Sequence, residues 1–113
     1  MTNLASTPAE LPPAAPAAPA QLVAYQTGTI VSRVLLKRTG GTLTIFAFDE
    51  GQGLSEHTAP FDAIAQVLEG TAEITIAGTP LDVSAGKLVL MPAGQPHAVQ
   101  ARTRFKMLLT MLR

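Results

Sequence analysis

From Gln21 onward, apolar residues recur at every second position in short runs broken by glycine and proline. Side chains alternate sides along a β-strand, so this period-2 pattern predicts strands rather than helices. Residues 22–26 and 29–38 are β-rich and separated by Gly28, and Thr39-Gly40-Gly41 makes the next turn. In residues 42–49, Leu43, Ile45 and Ala47 alternate against Thr44, Phe46 and Phe48. Residues 50–56 are polar, contain Gly51 and Gly53, and read as a loop. Residues 61–69 are strand-like and end at Gly70; residues 71–77 alternate through Ile74 and Ile76, and Gly78-Thr79-Pro80 turns the chain again. Residues 81–84, 87–91 and 97–101 are further short strands, and 104–112 close the chain with Phe105, Met107, Leu109 and Met111 on one face. Eight to ten strands with Gly/Pro turns, and no convincing amphipathic helix, predict an all-β sandwich or barrel.

The pattern changes sharply before Gln21. Five of the nine prolines (Pro8, Pro12, Pro13, Pro16, Pro19) and seven alanines fall in residues 1–20. Proline removes a backbone donor and fixes φ, which disfavours both helix and sheet ladders. Residues 1–20 are therefore expected to be an Ala/Pro-rich tail, flexible or polyproline-like, and residues 21–113 the folded domain. The alternative is an arm that packs on the domain or on a neighbouring subunit. Residues 22–38 are the segment expected to pair across a dimer.

Composition narrows the classes of function. Eight Lys+Arg balance eight Asp+Glu, and only 14% of the 113 residues are charged, against about 25% in an average soluble chain. Phosphate contacts are supplied mainly by Lys and Arg, so a nucleic-acid partner is not expected. No run of about 18 apolar residues occurs, so neither is a membrane span. Residues 1–8 have no basic leader or apolar run, which argues against a secretory signal. The absence of cysteine excludes disulfides, thiol catalysis and cysteine-ligated metal, and agrees with a cytoplasmic protein. Low charge on a small, 47% hydrophobic chain leads us to expect self-association as a homodimer. Imidazole chemistry is confined to His57 and His97, the only two histidines.

Residues 53–70 read Gly-Leu-Ser-Glu-His-Thr-Ala-Pro-Phe-Asp-Ala-Ile-Ala-Gln-Val-Leu-Glu-Gly, and residues 86–97 read Gly-Lys-Leu-Val-Leu-Met-Pro-Ala-Gly-Gln-Pro-His. The second stretch places Gly86, Pro92, Gly94 and His97 in the pattern of a glycine, five residues, Pro-x-Gly, two residues and histidine. The two stretches, with the short segment between them, resemble the paired motifs of small single-domain cupins over residues 21–113. The resemblance implies an RmlC-like jelly roll, a double-stranded β-helix of two antiparallel sheets. Gly70 and Gly86 end strands at tight turns, where a positive φ is least costly without a Cβ.

Metal-binding cupins use two motif-one histidines, a motif-one glutamate and the motif-two histidine as ligands. Carried over, the first histidine is His57 and the last His97, whereas the second histidine position holds Ala59 and the glutamate position Ala63. Strand parity turns Asp62 and Gln66 away from the face of Ala63, so neither replaces the missing ligands without a bulge. The expected site is a degenerate one: an apolar pocket lined by Ala59, Ala63, Ala65, Val67 and Val99, with His57 and His97 as its polar end. Binding of a small molecule is the first functional expectation. The second is a metal-dependent cupin enzyme, a dioxygenase or isomerase. There His57 and His97 hold a divalent Fe, Mn, Ni or Zn completed by water. The third is a ligand-sensing or structural protein that acts through a partner. Met91, Met107 and Met111 are read as core filler, Tyr25 as an edge residue, and Arg102, Arg104 and Lys106 as a solvated edge.

Overall fold

A computed structural model of the protein describes residues 10–113; residues 1–9, including the stretch read as lacking a signal, lie outside the described residues. Nine strands follow in chain order: β1 (Ile30–Arg38), β2 (Gly41–Phe48), β3 (Gly53–His57), β4 (Asp62–Glu69), β5 (Thr71–Ile76), β6 (Thr79–Ser84), β7 (Leu88–Met91), β8 (His97–Ala101) and β9 (Phe105–Leu112). They form a five-stranded sheet in the order β1-β2-β9-β4-β7 and a four-stranded sheet in the order β3-β8-β5-β6. Every pairing is antiparallel. The two sheets enclose one apolar interior, as the jelly-roll expectation requires.

The inward faces are those that the alternation marks. Phe105 and Met107 of β9, Ala63, Ala65 and Val67 of β4, and Val99 and Ala101 of β8 are buried in one cluster with Phe48, Ile74 and Met91. Phe48 stacks on Phe105 with centroids 4.5 Å apart within this core. The outward residues of β2, Leu43, Ile45 and Ala47, are apolar as well, because this side of the strand is also covered. Val23, Leu35, Ile45 and Ala47 form a second buried cluster, flanked by Leu11, Leu22, Tyr25, Leu43, Leu68 and Leu108. Residues 10–28 thus lie across the outer face of the five-stranded sheet.

Three local expectations change. Residues 22–26 join no sheet ladder; a single 3-10 turn at Pro19–Gln21 leads into them, and their side chains, not their backbone, make the attachment. Gly53–His57 is strand rather than loop, since polar side chains suit a strand whose outer side meets solvent. The presumed solvated basic edge is also revised. Lys106 is buried beneath residues 10–28, where its Nζ donates to the Ala20 carbonyl at 2.6 Å and lies 4.9 Å from the Tyr25 ring centroid. The Tyr25 hydroxyl donates to Glu69. Arg102 pairs with Glu73 and Asp82, and Arg104 with Asp49.

Candidate functional site

One end of the barrel gathers the ends of six strands. There β3 stops at His57, β4 starts beside Ala63, β7 stops at Met91, β8 starts at His97, β5 stops at Ile76, and β9 passes Met111. The ladders tie these positions together: Ala63 faces both Met91 and Met111, and His97 faces both Ile76 and His57. The two histidines are therefore direct cross-strand neighbours. Their ring centroids are 4.3 Å apart at an interplanar angle of 66°.

A bulge makes that meeting possible. Leu54 pairs with Val99 and His57 with His97, so two residues of β3, Ser55 and Glu56, oppose the single Ala98 of β8. Without the extra residue, a three-residue step from Leu54 would turn His57 to the opposite face. With it, His57 shares the side of Leu54, Val99 and His97. Two further bonds fix the loops that carry the rings: the Gly94 N–H donates to the Ala59 carbonyl at 2.8 Å, and the Ala93 N–H donates to Asp62 Oδ1 at 2.9 Å. The Ala77 N–H holds the Pro96 carbonyl at 2.8 Å, pinning the same turn to β5.

Each imidazole is oriented by a backbone carbonyl two residues before it. His57 Nδ1 lies 2.8 Å from the Ser55 carbonyl, and His97 Nδ1 lies 3.3 Å from the Gln95 carbonyl. A carbonyl oxygen only accepts, so in each ring Nδ1 is a nitrogen that carries a proton, and the neutral form of the ring presents its lone pair at Nε2. His57 is exposed, whereas His97 is 8% exposed. Burial pushes the His97 imidazole below the ordinary histidine value; the Gln95 carbonyl opposes this, and the charge of His57 reinforces it.

This shift has a testable sign. Unfolded His97 binds its proton at higher pH than folded His97, so its contribution to stability is complete above the unfolded value of 6.5. That contribution is lost as pH falls through the folded value. The melting temperature should therefore fall between about pH 7.5 and about pH 5, and fall less in His97→Gln. Equal slopes for the two proteins in thermal melts would refute this.

The other expected site residues divide into two groups. Ala59, in the loop after β3, and Ala63, at the start of β4, are at the mouth with the histidines. Ala65, Val67 and Val99 lie deeper, packed with Met107 and Phe105 in the filled interior. One mouth residue carried no sequence signal. Thr42 faces Met111 in the β2–β9 ladder, and its buried hydroxyl lacks a hydrogen-bond partner. A threonine in a β-rich run passes for ordinary strand sequence, so residue type alone does not mark Thr42. A separate groove of about 440 Å³ lies along β3, β8 and β5, lined by Ser55, Glu73, Thr75 and Gln100. Alternation turns those four side chains to the outside of the barrel, away from His97.

The donor set does not fit a resident transition metal. Structural zinc takes four protein ligands and catalytic zinc three, whereas two imidazoles converge here. The positions of Ala59 and Ala63 bring no side-chain donor. Asp62 pairs with exposed Leu112, which puts it with Gln66 on the outer face of the five-stranded sheet, and its Oδ1 is occupied by Ala93. Among the described residues, no three His, Cys, Asp or Glu side chains group as a metal set. Among the described residues, no helix is long and apolar enough to cross a membrane.

Comparison with known proteins places this geometry in a family. A family model described as cupin domain matches residues 44–112. The structure of a conserved protein of unknown function from Streptococcus pyogenes is 35% identical, with a TM-score of 0.88, over 98% of this chain and 97% of that one. A cupin superfamily protein from Desulfitobacterium hafniense is 28% identical at a TM-score of 0.86, covering 92% of this chain and 95% of that one. A cupin 2 conserved barrel domain protein from Leptotrichia buccalis is 39% identical at a TM-score of 0.81, over 83% of this chain and 46% of that longer one. No curated protein matches. None of these names specifies a reaction. The matched motif strands, the two-sheet barrel and these relatives agree: the chain belongs to the cupin family.

Proposed function

We propose that the protein binds a small polar molecule at the barrel mouth, through a pair of imidazole acceptors. The observation that carries this reading is the placement of both rings: each Nδ1 faces a backbone carbonyl, so the neutral imidazoles carry their lone pairs at Nε2 on neighbouring rings. Lone pairs call for donors, so the ligand class is one that offers hydroxyl or N–H groups, such as a polyol, a sugar or an amide. The alanines at positions 59 and 63 leave room where larger side chains would block the mouth. The partnerless hydroxyl of Thr42 supports a third polar contact at the same end. With the interior filled behind them, the histidines suit a ligand held at the rim rather than one swallowed by the barrel. Depressed basicity at His97 keeps its Nε2 an acceptor at neutral pH.

The test uses nitrogen-15 NMR of the imidazoles and a panel of sugars, polyols and amides. Both rings should give the Nδ1–H pattern in the free protein, and a bound ligand should move both Nε2 resonances. Affinity should fall about tenfold or more in His97→Phe, which keeps the ring volume but removes the acceptor. A panel with no effect on either ring would overturn the proposal. So would near-stoichiometric iron, manganese, nickel or zinc in untagged protein that disappears in His57→Ala or His97→Ala. That outcome would instead favour the metal-dependent dioxygenase or isomerase reading.

A further inference from the structure

The pairing of β9 with β2 runs one residue past Leu112. The Arg113 N–H donates to the Gly40 carbonyl at 2.9 Å, next to the pairing of Leu112 with Gly41. Two residues along a strand return a side chain to the same face. Arg113 therefore stands on the inner side of its sheet, one step nearer the opening than Met111. Phe61 precedes Ala63 by the same step, and Ala63 faces Met111. These two outermost side chains meet: the Arg113 guanidinium lies 4.6 Å from the Phe61 ring centroid. They form a ledge on the rim, on the sheet opposite the one that carries His57 and His97.

Arg113 is satisfied differently from other arginines of the chain. Arg38, Arg102 and Arg104 each meet a carboxylate. Among the described residues, no carboxylate lies within ion-pair distance of Arg113. Stacking occupies only the flat face of a guanidinium and leaves the N–H donors on its edge for a planar acceptor. Lys37 adds a second positive charge on this side, since it faces Thr42 in the β1–β2 ladder and is exposed. The acids nearby are placed elsewhere. Asp62 is on the outer face and accepts from the Ala93 N–H, and Glu56 sits in the bulge of β3, on the other sheet. An anionic group entering the mouth is thus directed to Arg113, and hydroxyl donors to the imidazoles.

We propose that Arg113 is the anion-binding end of the mouth and that the ligand is a small hydroxycarboxylate. Its carboxylate takes two parallel N–H groups on the guanidinium edge, the arrangement in which such pairs are strongest. Its hydroxyls reach the imidazole acceptors across the opening, so this inference rests on the rim-binding reading above. Phe61 holds the guanidinium by its face and so reduces the freedom that binding takes from a long side chain. A neutral polyol gains less from the same guanidinium, because only an ionised acceptor completes the charge-assisted pair.

Matched acids and alcohols test this: gluconate and sorbitol, glycerate and glycerol, lactate and propylene glycol. Within each pair only a carboxylate is exchanged for a hydroxymethyl group. Calorimetric titration of the full chain at about pH 8, above the ordinary histidine range, keeps imidazolium charge from attracting the anion. At least one acid should bind about tenfold or more tighter than its alcohol. Arg113→Gln should bring that acid down to the affinity of its alcohol. Arg113→Lys keeps the charge but loses the planar fork, and should restore only part of the preference. Arg102→Gln removes the same charge from the turn between β8 and β9, at the other end of the barrel, and should leave the preference intact. Equal affinities within every pair would overturn the inference; movement of the imidazole Nε2 resonances would then leave rim binding standing without it. A preference that survives Arg113→Gln would also overturn it. So would a failure of every compound to bind with both rings unmoved, which removes the rim reading as well.

Discussion

Gly70→Ala is expected to lower the melting temperature by roughly 20 °C or more, or to prevent soluble expression altogether. Gly70 is the single residue between β4 and β5, where the chain passes from the five-stranded to the four-stranded sheet. Its φ of +76° already disfavours any side chain, at about 1–2 kcal/mol. The larger effect is steric. A Cβ there would stand 1.9 Å from the Arg104 carbonyl oxygen and 2.8 Å from the Phe105 Cα. Both are backbone atoms and cannot swing aside. Relief must displace the start of β9 and pull Phe105 off Phe48, so about 4–5 kcal/mol in total is expected, much of the stability of an ordinary domain. Gly86→Ala separates the two effects. Gly86 has a φ of +88° but open space where a Cβ would stand, so only the backbone effect of about 1–2 kcal/mol applies. Thermal melts of the two variants side by side provide the check. Equal melting temperatures would show that the corner yields and that the close approach is not limiting.

That corner also illustrates what a sequence displays and what it hides. The alternation of Phe105, Met107, Leu109 and Met111, and of Ala63, Ala65 and Val67, was legible because burial on one face imposes a period of two. The glycine and proline turns were legible because few residues suit such backbone. The contact between the two histidines was not legible by the same rule. Parity along β3 separates Leu54 from His57, and only the bulge at Ser55–Glu56 restores them to one face. A bulge adds a residue without a residue-type signature when no glycine marks it. The packing of residues 10–28 was hidden for a different reason. A segment rich in proline forms no ladder, and propensity rules see ladders only. A signal for it did exist on β2. Leu43, Ile45 and Ala47 alternate with Phe46 and Phe48, so both faces of that strand are apolar. A strand apolar on both sides needs a cover on each, and the order of the chain leaves the N-terminal segment as the nearest cover for the second.

Truncation of that cover should therefore act on the barrel itself. Deleting residues 1–20 removes three attachments: the Leu11 N–H bond to the Leu35 carbonyl at 2.9 Å, the Glu10 carboxylate that accepts from the Lys37 N–H and Arg38, and the Ala20 carbonyl that receives Lys106. The Glu10–Arg38 pair is open to solvent and adds little. Lys106 matters most, because its ammonium is buried and loses its nearest acceptor, leaving Glu69 at 3.6 Å. A buried charged donor stripped of an acceptor costs more than a neutral hydrogen bond, so about 2–3 kcal/mol is expected, or a fall of roughly 10–20 °C in melting temperature. Lys106→Met distinguishes the cause. It removes the charge together with its need for a partner, so the truncated Lys106→Met protein should recover part of that fall. Extending the deletion to residue 28 removes Val23, Leu22 and Tyr25 as well, and uncovers Leu35, Ile45 and Ala47. Burying each such aliphatic side chain is worth about 1.5–3 kcal/mol, and a sheet exposed on that scale should aggregate rather than fold. A 1–20 deletion that melts with the full chain would make residues 10–20 a passive tail, as their composition alone suggests. A graded loss, rescued at Lys106, would make residues 10–28 part of the folded unit and place its boundary before Gln21.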